Sequence, residues 1–254
     1  MPTPVAQILA AADELLDPAR FEDYCVNGLQ VPGPAEATTI ATAVSANAET
    51  FERAAAEKAD LLLVHHGLFW GSGVRTIDAP LKRRLQILFD ANLALAAYHL
   101  PLDAHPEIGN NALLGRALGA DRLEPFAAHG AATIGCLAIL PGEGLTLDAL
   151  TARIAEITGR DPLLLPGGPE TVQRVAIVSG AGSDYLDEAA AAGAQALLTG
   201  EPVERATATA RELGVSLIAA GHHATETLGI KALGELLAAR FALEHVYIEV
   251  ENPV

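Results

Sequence analysis

Apolar and polar positions follow two periods along this chain. Near the start, Val5, Ile8, Leu9, Ala12, Leu15 and Leu16 recur at helical spacing and predict an amphipathic helix. Thr3 followed by Pro4 predicts its N-cap and its first helical residue. Unbroken apolar runs at Leu61-Leu62-Leu63-Val64, Leu93-Ala94-Leu95-Ala96-Ala97 and Val215-Ser216-Leu217-Ile218-Ala219 predict short buried strands. Alanine-rich helical stretches separate them. In the middle, a strand over Thr133 to Leu140 leads through a Pro-Gly-Glu-Gly turn into a helix over Leu147 to Ile157. A short apolar stretch, Leu163 to Leu165, follows, and Pro166-Gly167-Gly168-Pro169 closes the segment. Val246, Ile248 and Val250 alternate and predict a final strand near Glu244 to Glu249. Strands and helices alternate throughout, so the expected class is α/β (α+β), with helices laid over sheets.

The pattern occurs twice. Ala43-Val44-Ser45 through Phe51 lies on Ile177-Val178-Ser179 through Tyr185 at an ungapped offset of 134. Ala55 then meets Ala189, and Leu63-Val64 meets Leu197-Leu198. At an offset of 123, His99-Leu100-Pro101-Leu102-Asp103 meets His222-His223-Ala224-Thr225-Glu226. Alanine-rich segments align by composition alone, but alanine content does not produce a paired His-x-x-x-acid. The reading is two similar α/β domains from an internal duplication, over 1–125 and 126–254. The second carries an inserted strand-helix-strand segment over 126–170.

Composition narrows the function classes. Half of the 254 residues are hydrophobic, which is enough for a sizeable core. With 16 basic and 32 acidic residues the formal charge is −16, a field that disfavours non-specific nucleic-acid binding. Bound cations would still allow an anionic substrate. Cys25 and Cys136 lack C-x-x-C spacing, so neither a disulfide framework nor a thiolate zinc site is expected. Both read as small buried hydrophobes, which suits a reducing compartment. No apolar run approaches the roughly 18 residues of a membrane span, and the N-terminus lacks the basic start of a signal peptide. The expected location is the cytoplasm, with no membrane partner.

Three strand ends carry the candidate chemistry. His65 and His66 follow a four-residue apolar strand and precede Gly67. Ligand sites in α/β sheets gather at the carboxyl ends of strands. Neighbouring strand residues point to opposite sides, so an adjacent pair suits two metals better than chelation of one. Taken alone, such a pair reads first as two ordinary hydrogen-bonded histidines. His222 and Glu226 also follow an apolar strand. On a helix they stand at i and i+4 and share a face, a natural metal grip, with His223 pointing elsewhere. His99 and Asp103 flank Pro101, which predicts a strand-end turn and not a helix interior. Of those two, Asp103 is the favoured ligand, because a hard anionic oxygen complements imidazoles around a divalent cation. His99 is a candidate to stand behind a ligand or to transfer a proton. His105, His129 and His245 carry no spacing signal. Gly180-Ala181-Gly182-Ser183 reads as a tight turn, and no G-x-S-x-G, Walker loop or G-x-G-x-x-G is present.

Together these motifs resemble the Nif-three-like dinuclear-metal-centre family, whose members are often labelled type 2 GTP cyclohydrolase 1 homologues. The resemblance runs from Asn27-Gly28-Leu29-Gln30-Val31 through Val64-His65-His66-Gly67, Leu100-Pro101-Leu102-Asp103 and Gly109-Asn110-Asn111. It continues to Gly221-His222-His223-Ala224-Thr225-Glu226 and Glu251-Asn252-Pro253-Val254. The sequence departs from the common pattern at Ser45, where many members carry an acid, and at Pro32. The resemblance implies two similar domains with a metal site in the cleft between them. It implies two divalent ions held by His65, His66, Asp103, His222 and Glu226, with Glu226 bridging, in a homohexameric ring. Zinc, iron, manganese, nickel and cobalt all suit nitrogen and oxygen ligands. A two-metal hydrolase acting on a nucleotide, a phosphoester or a GTP-like purine is the expected function. The alternative is a non-enzymatic metal-binding, assembly or regulatory scaffold.

Overall fold

The computed structural model of the protein describes residues 1–71 and 76–254. The chain forms two compact units, one of Met1–Leu102 with Gly229–Glu251, the other of Asp103–Leu228 with Asn252–Val254. These units do not coincide with the stretches 1–125 and 126–254. The physical reason is strand pairing and core packing. The late strand Glu244–Tyr247 is hydrogen-bonded in parallel to Thr39–Ser45 and so belongs to the first unit. The helix Asn110–Ala117 buries Leu114 in the core of the second.

The first unit is built on a five-stranded sheet in the order Glu244–Tyr247, Thr39–Ser45, Leu61–His66, Ala94–Ala97, Gly28–Val31. The first four strands run parallel and Gly28–Val31 runs antiparallel at the edge. Leu61 to Val64 are all fully buried, as expected of a parallel strand covered on both faces. Leu62, Val64, Leu95, Phe51 and Leu88 share one core cluster. After the strand Thr39–Ser45, the Asn47 side chain accepts the backbone N–H of Thr50 and caps the helix Ala48–Ala56. The first helix spans Val5–Leu16 and buries Val5, Ile8, Leu9, Ala12 and Leu16. Thr3 is not its cap. Thr3–Pro4 pairs antiparallel with Glu36–Ala37, and Pro4 takes the N-cap position, so the pairing holds Thr3 away from the helix end.

The second unit holds a six-stranded sheet in the order Leu163–Leu165, Ser216–Ala219, Ala196–Thr199, Arg174–Val178, Ala132–Ile139, Arg122–His129. Its three central strands are parallel and the outer ones antiparallel. Leu114, Leu150, Ile154, Ile177, Leu198 and Ile218 form its core. Thr146 caps the helix Leu147–Thr158 and Gly159, at φ 70°, closes it in the left-handed region that favours glycine.

The same order of three parallel strands recurs in each unit. Ile40 pairs with Leu61 in one and Val175 with Ala196 in the other, so both pairs join residues 21 apart. No helix among the described residues is long and apolar enough to cross a membrane.

Candidate metal centre

In the first unit the strand Leu61–His66 ends on its two histidines. His65 is fully buried, and its Nδ1 lies 3.0 Å from the carbonyl oxygen of Tyr98 on the neighbouring strand end. A carbonyl only accepts, so Nδ1 carries the proton and Nε2 the lone pair. His66 Nδ1 stands 3.4 Å from Ser45 Oγ. His99 joins them: one ring nitrogen of each of His65, His66 and His99 lies within 4.8 Å of the other two. Trp70, its Nε1 donating to Gly67 O, sets its ring edge-on to His99 at 5.1 Å between centroids.

His99 is gripped from behind. Asp23 Oδ1 lies 2.8 Å from His99 Nδ1, and Asp23 Oδ2 accepts from Leu100 N and from Asn27 Nδ2. Asn27 Oδ1 accepts the backbone N–H of His99. Burial pushes the Asp23 carboxyl up, but the His99 contact and the hydrogen bonds from Asn27 and Cys25 outweigh it and hold it at about 2.

In the second unit Asp103, His222 and Glu226 converge. Asp103 and Glu226 each place a carboxylate oxygen within 4.8 Å of the other, and His222 Nε2 lies 3.4 Å from Glu226 Oε2. Asp103 ends a single helical turn, Leu100–Asp103, which follows the strand Ala94–Ala97. Proline is tolerated there because a first-turn N–H has no helical partner to lose. Asn110 Nδ2 and Ser179 Oγ both donate to Asp103 Oδ1. His222 and Glu226 do not share a continuous helix: His222–Thr225 is a single turn, and Glu226 leaves it at φ −117° before the helix Thr227–Phe241. Their side chains meet all the same, one turn apart. His222 Nδ1 lies 2.6 Å from Glu201 Oε1. Burial lowers the His222 imidazole, but Glu226 and then Glu201 raise it to about 9.

Gly180 fits this corner for a steric reason. It sits at φ 62°, and a Cβ there would collide with Glu226 Oε1 and press on His222 Nε2. Thr225 Oγ1 accepts Gly180 N and donates to Gly221 O, locking the turn against the loop. Asn111 ties the neighbouring pieces together, donating to Ile134 O and accepting Ser179 N. A cavity of about 470 Å³ opens in this unit beside Asp103, with His105, Asn111, Arg116 and Cys136 among its walls.

The donor sets suit divalent metals. In the first unit they are imidazole nitrogens, two of them with the far nitrogen engaged; in the second they are two carboxylates and an imidazole, with a glycine leaving room beside them. The remaining histidines have structural partners. His245 Nε2 contacts Thr42 Oγ1, His105 Nδ1 accepts the N–H groups of Glu107 and Ile108, and His223 N donates to Val254 O. Sequence reasoning missed Asp23 and Glu201, which carry no spacing signal; Asn110 stood only in a motif of the resemblance and Ser179 only in the repeat, neither with a role. Gly180 was visible, but only as a turn.

Comparison with known proteins finds relatives along nearly the whole chain. The family model Duf34/NIF3 (NGG1p interacting factor 3) matches residues 3–253. A Pseudomonas aeruginosa protein called GTP cyclohydrolase 1 type 2 homolog is 42% identical over 98% of both chains. A protein of the same description from Allochromatium vinosum is also 42% identical, over 99% of this chain and 98% of its own. Among solved structures, the protein ybgI, described as of unknown function, superimposes with a TM-score of 0.92 at 37% identity, covering 99% of this chain and 100% of that one. TTHA1606 from Thermus thermophilus gives 0.91 at 36% identity, with the same coverage. This chain, matched along nearly its whole length, belongs to the Duf34/NIF3 family.

Proposed function

We propose that this protein binds two divalent metal ions through His65, His66, Asp103, His222 and Glu226, and acts as a metal-dependent hydrolase on a nucleotide, a phosphoester or a GTP-like purine. The observation that carries the reading is the pair of donor groups: ring nitrogens of His65 and His66 within 4.8 Å, and the carboxylates of Asp103 and Glu226 within 4.8 Å, each held by buried partners. A metal pair supplies Lewis acidity and an activated water at neutral pH. The chain's own groups do the rest. Glu226, buried and next to His222, would hold the ions and offset their charge when they are bound. Asn110 and Ser179 aim the Asp103 carboxylate. The cavity beside Asp103 gives a small substrate room.

The test is turnover by metal-loaded protein against phosphoesters and purine nucleotides, with His65→Ala as control. Activity that survives His65→Ala belongs to a contaminant. A loaded protein that turns over none of these substrates supports the non-enzymatic scaffold instead.

The reading includes an internal duplication, supported by the matching strand order and pairing distance of the two sheets. An experimental structure in which 40–45 does not superimpose on 174–179 while 61–65 lies on 195–199 removes it. It also includes a homohexameric ring in the cytoplasm, supported by the family resemblance alone. Light scattering of the purified protein and cell fractionation test those two points.

A further inference from the structure

The turn that carries His222 is pinned through its main chain. Thr225 N and Thr225 Oγ1 both donate to Gly221 O, and His223 N donates to Val254 O. Those bonds hold the backbone and not the imidazole. The last side-chain torsion of a histidine is broad and roughly two-fold, so a ring on a fixed backbone can still exchange the places of its two nitrogens. At the ring itself, Nε2 stands 3.4 Å from Glu226 Oε2 and Nδ1 stands 2.6 Å from Glu201 Oε1. A carboxylate oxygen accepts, so the Glu201 contact keeps a proton on Nδ1 and leaves Nε2 as the nitrogen that can offer a lone pair.

Glu201 is placed for that contact by its own loop. It follows the strand Ala196–Thr199, and His222 follows the neighbouring parallel strand Ser216–Ala219. Gly200 N and Glu201 N both donate to Gly180 O, Gly221 N donates to Gly200 O, and the buried Ser183 donates through Oγ to Glu201 O. Gly200 lets the two loops meet, because a Cβ there would collide with His222 Cα and Gly180 O. The Glu201 side chain is nevertheless 40% exposed. An ion pair so open to water contributes little to folding. A fixed backbone, a glycine at the point of approach and a short contact of little worth to stability suit a group that orients its partner.

We propose that Glu201 is the positioning residue of His222: its carboxylate holds the Nδ1 proton, sets the ring, and presents Nε2 beside Glu226, where a divalent ion would bind. All three residues belong to the second unit. This rests on the reading that His222 and Glu226 hold metal, and it goes further in naming the group that decides which ring nitrogen is offered. A carboxylate behind a metal-bound imidazole fixes its tautomer and orientation, and losing it typically costs about 10–100-fold in metal affinity.

The experiment measures zinc and cobalt(II) affinity of the full chain by competition with a chromogenic chelator, with circular dichroism and the melting temperature of the metal-free protein read alongside. Glu201→Ala should weaken binding on the order of 10–100-fold and leave that melting temperature nearly unchanged. Glu201→Gln keeps an oxygen that accepts the Nδ1 proton, so it should recover part of the loss. In a His222→Ala background, Glu201→Ala should cost nothing further, because its effect passes through that ring. Wild-type affinity in a folded Glu201→Ala protein overturns this inference and leaves the two-metal reading standing. So does a Glu201→Gln protein as weak as Glu201→Ala, since charge alone would then matter. A full further loss in the His222→Ala background, or a large drop in the metal-free melting temperature, overturns it as well. A wild type that binds no ion sinks the two-metal reading and this inference with it. Should Glu201→Ala not fold, Glu201→Gln decides in the same two backgrounds. A loss confined to the protein that keeps His222 supports the assignment, and equal affinity or an equal loss in both overturns it.

Discussion

Nε2 of His222 lies 3.4 Å from Oε2 of Glu226, across a single helical turn that stops at Thr225. Because the helix breaks there, the carboxylate is set by the break and by Gly180, not by a continuous helix face. Glu226→Gln keeps the shape and removes the charge. Two metals need at least about four positions each, and five residues with one bridge supply only six, so the bridge has no substitute in the set. The expected outcome is loss of occupancy at both sites together, by at least about tenfold in affinity. Elemental analysis per chain measures it, with circular dichroism confirming the fold. A folded variant that keeps both metals at wild-type affinity shows that Glu226 is not the bridge.

Gly180→Ala should weaken metal binding more than it weakens the fold. A left-handed φ costs an alanine about 1 kcal/mol, while the added Cβ strikes Glu226 and His222 directly. Gly142→Ala is the control. It has φ 57° but nothing within 4 Å, so it should show a similar drop in melting temperature and unchanged metal affinity. Equal metal binding by the two variants contradicts the steric account.

Asn111→Ala should destabilise the protein outright. The buried amide satisfies Ile134 O and Ser179 N, and each group left without its bond costs about 1–3 kcal/mol. Urea unfolding reads the loss. Asn110→Ala removes a hydrogen bond to Asp103 and should act mainly on metal affinity. A stability profile in which the two are interchangeable refutes this division of labour.

The two cysteines should be inert at neutral pH. Burial pushes the Cys25 thiol up to about 11 and the Cys136 thiol up to about 12. Raised values favour the protonated thiol in the folded state. The associated stability is therefore present below the ordinary thiol value and is lost as pH rises toward 11 to 12. A disulfide reagent at about pH 8 should label neither residue quickly in the native protein and both after denaturation. Rapid native labelling of Cys136 would mean that the cavity beside it exposes the sulfur.

The hydrophobic pattern was enough to place the strands at Leu61–His66, Ala94–Ala97 and Ser216–Ala219 and to set histidines at their ends, because buried strands announce themselves as short apolar runs. The i, i+4 spacing of His222 and Glu226 was likewise a local property, and the side chains meet even though the helix does not continue. What the sequence could not express was long-range. Asp23 meets His99 across 76 residues, Ser179 meets Asp103 across the same distance, and Gly180 meets Thr225 across 45. The Asp23, Ser179 and Gly180 contacts follow from chain folding over the sheets, and no periodicity records them. The same holds for the last strand, whose alternation was plain but whose partner, Thr39–Ser45, lies some 200 residues earlier in the chain. Periodicity tells a segment which face to bury; only closure of the loops decides what that face is buried against.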